Sequence, residues 1–298
     1  MAGLARCSGG DLVIPRIESL TTVGGELCPV CGAVAAPAAV FPDYQLHRCR
    51  VCGCWSSDAH ERGATTSFEP ETYFENADLD RPKWAALLRS LEARDRSVRS
   101  LLDVGCGTGA FLGWVSQAHP DIDCEGIEID TDRASEARDR NPRAVIHVGD
   151  AAETLSGSSR RYDLITLWDV FEHVTAPVHL LRELAAHLVP GGSIHIVTIH
   201  ERSLLPAIGR ALYRLSARRF VYPIRRTHEA HHLVFFTRSG LERAARESGL
   251  RIRALWFDRL RRGRMDGHPI VTAVTAALLR AENALGNGLF VNLTLEKS

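Results

Sequence analysis

The chain has 298 residues, 45% of them hydrophobic, and a formal net charge of zero at pH 7. This length and composition allow one large domain with a full core and a small additional module. No run of about 18 apolar residues occurs and charged side chains interrupt the first 20 residues, so we expect a cytoplasmic protein with no membrane insertion and no secretion signal.

Two cysteine pairs define the N-terminal part of the chain, after residues 1–22, which we expect to be disordered. Each pair has the form Cys-x-x-Cys, and 17 residues separate the pairs. This spacing is typical of two turns that close one tetrahedral zinc site, and four thiolates leave the metal no open position. The sequence therefore predicts a structural Zn²⁺ ion in a zinc-ribbon module over residues 23–65. Disulfide bonds are the alternative, which the lack of a secretion signal disfavours. The four predicted ligands are Cys28, Cys31, Cys49 and Cys52.

A glycine-rich turn is the main feature of the remaining chain, residues 66–298. Residues 82–99 have helical apolar spacing, and LLDVGCGTGAFL (101–112) then has the pattern of a buried strand, a turn and the start of a helix. Glycine allows such a turn to bend sharply and to approach a ligand closely. Asp103 precedes the turn, and its carboxylate would repel the pyrophosphate of a dinucleotide. The sequence therefore favours a cationic ligand.

Acidic residues also end the next three predicted strands; they are Glu128, Asp150 and Asp169. A carboxylate at the position of Glu128 can accept hydrogen bonds from both hydroxyls of a ribose. A carboxylate at the position of Asp150 can accept one from an adenine amino group. S-adenosylmethionine combines a ribose, an adenine and a positive charge, and it fits this pattern. Acids in solvated loops are the alternative interpretation.

Residues 101–200 resemble class I S-adenosylmethionine-dependent methyltransferases in the glycine turn, the acids that follow it and the fourth-strand segment WDVFEHV. The resemblance implies an α/β, Rossmann-like fold with a mostly parallel seven-stranded sheet and helices on both faces. It also implies that the ends of four strands bind the methionine, ribose and adenine parts of the cofactor. The cofactor-binding residues expected on this basis are Asp103, Gly105, Cys106, Gly107, Glu128, Ile129, Asp150, Ala151, Trp168 and Asp169.

The helices and strands predicted after the second strand complete an alternating α/β arrangement. In the resembled family, late strands of this kind pair antiparallel at the edge of the sheet. Helices are predicted over residues 134–140, 178–187, 239–248 and 269–285, and further strands over residues 193–199, 251–257 and 288–296.

A basic segment with helical apolar spacing occupies residues 201–230. Residues 201–298 carry 18 basic and 8 acidic side chains, whereas residues 1–200 carry 18 and 28. We interpret the segment as a basic helical lid that grips an anionic acceptor. Attachment to anionic lipid and ion pairing with the acidic part of the chain are the alternatives.

Three residues are candidates for activating the methyl acceptor. Methyl transfer is an in-line displacement, so the protein mainly aligns the nucleophile and removes its proton where it has one. Glu172 and His173 follow the fourth strand, and His232 lies in HHLVFFT, which matches a histidine-leucine-aromatic pattern of the resembled family. A histidine can accept a proton near neutral pH. Bracing of a loop and a surface position are the alternatives for these residues.

The segments FPDYQLHRCRVCGCW and FEPETYFEN resemble the zinc-ribbon module of bacterial small-molecule methyltransferases from natural-product and sugar pathways. We therefore expect O- or C-methylation of a small molecule. We expect no counterpart of the further C-terminal domain that several sugar enzymes have, which weakens a sugar assignment specifically. A zinc-ribbon-containing ribosomal RNA base methyltransferase is the alternative. Residues 28–80 carry three arginines against eight acids, which disfavours nucleic acid as a partner. The sequence makes no prediction about oligomeric state.

Overall fold

The computed structural model describes residues 26–62, 77–92, 97–258 and 269–297. The predicted disordered segment, residues 1–22, lies outside the described residues. The chain on both sides of the predicted boundary at residue 65 is also outside them, so the division into modules stays a prediction. None of the described helices is long and apolar enough to cross a bilayer.

Twelve strands and nine α-helices occur in the described residues. The strands are β1 (Glu26–Leu27), β2 (Val34–Val40), β3 (Gln45–Cys49), β4 (Trp55–Ser57), β5 (Ser100–Val104), β6 (Asp123–Glu128), β7 (Val145–Val148), β8 (Tyr162–Trp168), β9 (Leu188–Ile199), β10 (Val234–Phe235), β11 (Leu250–Asp258) and β12 (Phe290–Lys297). The helices are α1 (Arg81–Glu92), α2 (Ala110–Ala118), α3 (Thr131–Arg140), α4 (Ala151–Ser156), α5 (Pro177–Ala186), α6 (Leu204–Leu215), α7 (Tyr222–Thr227), α8 (Arg238–Glu247) and α9 (Pro269–Ala284). Two short 3₁₀ helices span Ala77–Asp80 and Phe171–His173.

A seven-stranded sheet forms the centre of the protein, in the order β7-β6-β5-β8-β9-β12-β11. Strands β5 to β9 are parallel, and β12 is antiparallel to both of its neighbours. This arrangement confirms the predicted fold class, including the late antiparallel strands. The strand order reverses at β5, because β6 and β8 lie on its two sides. Open α/β sheets bind ligands at the carboxyl edge of such a switch point.

The central strands are apolar on both faces because helices cover both sides of the sheet. Leu101, Leu102, Leu164 and Ile165 in β5 and β8 are fully buried. Burying one such side chain stabilises the fold by roughly 1.5–3 kcal/mol. This core holds the carboxyl ends of β5, β6 and β8 in fixed positions, which is what a binding site at that edge needs.

One predicted helix is shorter than expected. A helix is predicted over residues 82–99; the structure describes it over Arg81–Glu92, and residues 97–99 are not helical. The backbone N–H groups of Arg99 and Ser100 instead donate hydrogen bonds of 2.9 Å to the Asp163 carboxylate. These bonds join the start of β5 to the start of β8, and a helix continued to residue 99 would break them.

A second, five-stranded sheet contains the cysteine pairs, in the order β1-β2-β3-β4-β10. Strand β10 comes from the far part of the chain and pairs antiparallel with β4, with Val234 opposite Ser56 and Phe235 opposite Trp55. The backbone N–H of Ser57 also donates to the carbonyl of Leu233 at 2.9 Å. The N-terminal module is therefore joined to the rest of the protein through a shared sheet.

The basic segment forms the helices α6 and α7, as predicted, and these helices pack on the N-terminal sheet. Tyr213 of α6 and Ile224 of α7 are buried in one apolar cluster with Tyr44 and Phe235. The Tyr44 hydroxyl donates a 2.6 Å hydrogen bond to the carbonyl of His228. The role of these helices as a lid stays a prediction.

Candidate functional site

The glycine turn after β5 is closed tightly against neighbouring strands. Gly105 has a φ of +68°, and a Cβ built on it would lie 2.5 Å from a methyl carbon of Val170. The N–H groups of Gly105 and Cys106 donate to the carbonyl of Ile127 at 2.7 and 3.1 Å. Gly107 also has a positive φ, of 54°. Burial raises the pKa of the Cys106 thiol, so that this side chain stays a neutral part of the turn.

Asp103 lies at the carboxyl end of β5 with only 2% of its surface exposed. Its Oδ1 accepts a 2.6 Å hydrogen bond from the hydroxyl of Thr166 on β8. Burial raises the pKa of the Asp103 carboxyl to about 7, and the nearby negative charge of Glu128 contributes to the rise. A cation bound here would offset both effects by favouring the ionised carboxylate.

Glu128 lies at the carboxyl end of β6 and is held by two backbone donors. Its Oε2 accepts a bond from Gly107 N at 2.8 Å and its Oε1 accepts one from Asp130 N at 3.0 Å. These bonds fix the carboxylate beside the glycine turn, with lone pairs left for a ligand hydroxyl. The next side chain, Ile129, is 66% exposed and offers an apolar surface at the same edge.

Asp150 and Ala151 lie at the start of α4, next along the same edge. The Asp150 side chain caps the helix, with Oδ1 accepting bonds from Ala152 N at 2.8 Å and Glu153 N at 3.1 Å. Ala151 is partly buried against the large core. The capping bonds alone explain why an acid occupies position 150, with no ligand needed. Adenine binding by Asp150 and Ala151 therefore stays a prediction.

Trp168 is the last residue of β8, beside the glycine turn, and Asp169 follows it. The Trp168 ring contacts Phe111 and His195, with both ring centroids 5.2 Å away. Its Nε1 is buried and has no hydrogen-bond partner among the described residues. Asp169 has a φ of 54°, a left-handed conformation that aspartate adopts more readily than most residues and that is frequent at functional sites.

The three candidate acceptor-side residues come together although 59 positions separate His173 from His232. Glu172 and His173 lie in the 3₁₀ helix after β8, and the carbonyl of Glu172 accepts a 2.8 Å bond from Leu233 N. Potential proton-binding atoms of Glu172, His173 and His232 all lie within 4.8 Å of one another. We name these three side chains the Glu-His-His cluster.

Burial controls the charges in this cluster. It raises the pKa of Glu172 to about 8, with a further rise from the negative charge of Asp169. It lowers the pKa of His173, and it lowers that of His232 well below its usual value. Both imidazoles are therefore neutral at neutral pH and have a lone pair available.

Two threonines that the sequence analysis did not single out hold the key carboxylates. Thr166 donates to Asp103, and the hydroxyl of Thr198 on β9 donates to Glu172 Oε2 at 2.7 Å. Both threonines are fully buried. A hydroxyl residue inside an otherwise apolar strand could have indicated both threonines in the sequence, because a buried hydroxyl group needs a hydrogen-bond partner.

The four predicted metal ligands form a second site in the N-terminal sheet. The sulfur atoms lie 3.5 Å apart for Cys28 and Cys52 and 3.4 Å apart for Cys31 and Cys49. All four sulfurs lie within 4.8 Å of one another, and none is in a disulfide. Tetrahedral zinc with Zn–S bonds of about 2.3 Å separates its sulfurs by about 3.8 Å, so the donor set fits zinc.

The sequence profile of the methyltransferase domain matches residues 76–255, more than half of the chain. The chain belongs to the methyltransferase domain family. This membership confirms the predicted fold class and agrees with the predicted methyl donor, S-adenosylmethionine. It leaves the assignment of individual site residues as a prediction.

Two curated relatives match this methyltransferase over part of its length. A dTDP-3-amino-3,6-dideoxy-α-D-glucopyranose N,N-dimethyltransferase from Streptomyces fradiae is 36% identical over 124 residues, which cover 40% of this chain and 44% of that protein. A ubiquinone biosynthesis O-methyltransferase from Bordetella avium is 30% identical over 189 residues, which cover 61% of this chain and 74% of that protein. The methyltransferase thus spans less than half the length of the first relative.

Solved structures of methyltransferases share the fold. The plantazolicin methyltransferase BamL aligns with a TM-score of 0.52 and 15% identity over 80% of this chain and 91% of its own. An S-adenosylmethionine-dependent methyltransferase from Clostridium acetobutylicum aligns with a TM-score of 0.50 and 12% identity over 75% of this chain and 94% of its own. At these identities the similarity shows a common fold.

Proposed function

We propose that this methyltransferase transfers a methyl group from S-adenosylmethionine to an oxygen or carbon atom of a small molecule. The observation that carries the proposal is the pair of buried carboxylates, Asp103 and Glu128, on either side of the glycine turn. Asp103 would bind the cationic methionine end and Glu128 the ribose. The names of the two curated relatives favour a small-molecule acceptor over ribosomal RNA.

When bound, S-adenosylmethionine supplies an electrophilic methyl group on a positively charged sulfur. The protein then has to align the acceptor and ionise it in a site that excludes water. We assign the ionisation to the Glu-His-His cluster. The Nδ1 atom of His173 lies 2.7 Å from the carbonyl of His231 and donates to it, so that the Nε2 atom of His173 has the lone pair.

Two further roles support this activity. The four cysteines would hold a structural Zn²⁺ ion, which stabilises the sheet that β10 completes. The basic helices α6 and α7 would attract an acceptor that carries negative charge. Arg225 of α7 already pairs with Asp43 at 2.6 Å, so part of this positive charge is balanced within the protein.

Calorimetry with S-adenosylmethionine tests the proposal directly. The wild-type protein should bind the cofactor, and Asp103→Asn and Glu128→Gln should each weaken binding at least about tenfold, since each loses a charge-assisted contact. Radiolabelled S-adenosylmethionine should then transfer its methyl group to members of a panel of hydroxylated small molecules. Tight binding and methylation of ribosomal RNA at physiological salt would overturn the small-molecule proposal.

A further inference from the structure

The Glu-His-His cluster has the composition of a metal site as well as that of a base. It offers one carboxylate and two imidazoles, whose candidate ligand atoms lie within 4.8 Å of one another. A divalent ion with bonds of about 2.0–2.2 Å needs such atoms about 3 Å apart. The observed separations therefore have to shorten by up to about 2 Å when a metal ion binds. The zinc site predicted from the sequence is distinct, since it uses only cysteines.

We propose that Glu172, His173 and His232 bind a divalent transition-metal ion, and that this ion binds the oxygen atom of the methyl acceptor. The role toward the acceptor rests on the proposed function, whereas metal binding does not. One carboxylate and two imidazoles are ligands shared by Zn²⁺, Mn²⁺, Fe²⁺ and Co²⁺, and three protein ligands leave open positions for a substrate.

The hydrogen bonds around the cluster prepare its members to bind a metal. Metal-binding histidines usually donate their second N–H to a carbonyl or carboxylate, which orients the ring. His173 does this through Nδ1, which donates to the carbonyl of His231 at 2.7 Å. The Thr198 hydroxyl bonds Oε2 of Glu172 at 2.7 Å and so orients the carboxylate in the same way.

His232 provides a separate observation. Its Nδ1 atom is buried and has no hydrogen-bond partner within the described ranges. Its backbone is held, because His232 N donates to the carbonyl of Glu229 at 3.0 Å. A buried polar atom without a partner costs about 1–3 kcal/mol, and a bound ligand is one explanation for its retention.

The surroundings of Glu172 also favour a cation. Glu172 is 1% exposed, and its carboxylate accepts the hydrogen bond from Thr198. One buried carboxylate and two imidazoles form a donor-rich position that a divalent ion can occupy.

A metal here would change how the acceptor is ionised. A hydroxyl bound to a divalent ion loses its proton to solvent far more readily than a free one. An electron pair of the resulting alkoxide oxygen then forms the O–C bond to the methyl group. The C–S bond breaks at the same time, and its two electrons stay on the sulfur atom. This route selects oxygen over carbon, so it narrows the acceptor to a compound with a hydroxyl group.

Cobalt titration of the full chain, with calorimetry and visible spectroscopy in parallel, tests the metal site. Wild-type protein should bind two equivalents, one with the strong thiolate absorption of the four-cysteine site and one with weak bands of nitrogen and oxygen ligands. Glu172→Gln and His232→Gln should each lose only the second equivalent. Thr198→Val keeps all three ligands but should weaken that equivalent by about 10- to 100-fold, because the carboxylate loses its orienting bond.

His231→Gln is the matched control. The His231 ring stacks on the His173 ring, with 5.5 Å between the centroids, but His231 is outside the cluster. The variant keeps the backbone carbonyl that accepts the hydrogen bond from His173. It should bind two equivalents. A wild-type protein that binds only the thiolate equivalent would overturn the metal site, as would variants that retain the second equivalent. Thermal melting and the unchanged thiolate absorption show that each variant is folded.

The same samples separate this proposal from the proposed function. Binding of S-adenosylmethionine and methyl transfer that persists after the second metal is removed would refute the role of the metal and leave the methyltransferase activity intact. A protein that binds a second metal equivalent but does not bind S-adenosylmethionine would support the metal site and refute the proposed function.

Discussion

Binding of S-adenosylmethionine should release a proton from Asp103, which makes the affinity depend on pH. In the unliganded protein, burial raises the pKa of this carboxyl to about 7. At pH 6 the group is then about 90% protonated, and a cation must displace that proton. The dissociation constant should therefore be about tenfold higher at pH 6 than on the plateau near pH 8, and about a hundredfold higher at pH 5.

Substitution of Asp103 by asparagine should remove this dependence. Asparagine can still accept the Thr166 hydrogen bond, but it cannot become charged. We expect the variant to bind S-adenosylmethionine about 10- to 150-fold more weakly at pH 8, from the loss of a contact worth about 1.5–3 kcal/mol. Its affinity should change little between pH 5 and pH 8, and the difference from wild type should narrow at the acid end.

Stability of the unliganded protein should show the same linkage with a defined sign. The pKa of Asp103 is raised in the folded state, so the folded protein holds a proton that the unfolded chain loses near pH 4. Stability should therefore fall as the pH rises from about 4 to about 7 and then level off. At pH 8 Asp103→Asn should be more stable than wild type by up to about 4 kcal/mol.

Calorimetry in two buffers with different ionisation enthalpies measures the proton release. Wild type should release about 0.9 protons per bound cofactor at pH 6 and about 0.1 at pH 8. Asp163→Asn is the control, because Asp163 caps the opposite end of the sheet through bonds to Arg99 N and Ser100 N. An affinity independent of pH in wild type, or full affinity in Asp103→Asn at pH 8, would refute the role assigned to Asp103.

Three other substitutions test the site and the metal-binding module. Glu128→Gln should lower stability by about 2–3 kcal/mol, measured by denaturant unfolding, because an amide cannot accept from both backbone donors. Gly105→Ala should lower the melting temperature and abolish cofactor binding, because the new methyl group would clash with Val170 and alanine disfavours the positive φ at this position. Gly157→Ala is the control and should do neither, because open space surrounds Gly157. Cys49→Ala should lose zinc in elemental analysis and destabilise the protein, whereas Cys54→Ala should retain one zinc ion; retention of zinc by Cys49→Ala would contradict the site.

Local pattern was sufficient to predict most of the fold. Alternating apolar strands and helices with the glycine turn between them determine an α/β sheet, and the structure has each predicted strand close to its predicted position. The exception, the helix predicted to residue 99, shows the limit of local pattern. Residues 97–99 are not helical, and the Asp163 carboxylate, 64 positions from Arg99, accepts bonds from the N–H groups of Arg99 and Ser100.

The grouping of the candidate cofactor-binding acids could also be predicted from the chain, because acids at the carboxyl ends of parallel strands meet at one edge; their roles toward the cofactor stay a prediction. How each acid is held could not be inferred. Asp103 is buried and accepts a hydrogen bond from Thr166, whereas Asp150 is exposed and caps a helix. The two carboxylates therefore differ in their access to solvent. Burial and hydrogen bonding depend on neighbours from other strands, which a sequence pattern does not specify.

By itself the sequence predicted most elements of the central sheet, the grouping of the four cysteines and the class of cofactor, because glycine turns, ligand spacing and apolar periodicity act over a few residues. Only the tertiary structure decided that His232 meets Glu172 and His173, and that β10 completes the N-terminal sheet. Both contacts close loops of more than 50 residues. The entropy cost of closing a long loop depends only weakly on its length, so loop length does not favour one distant partner over another. Packing of the whole core selects the partner instead.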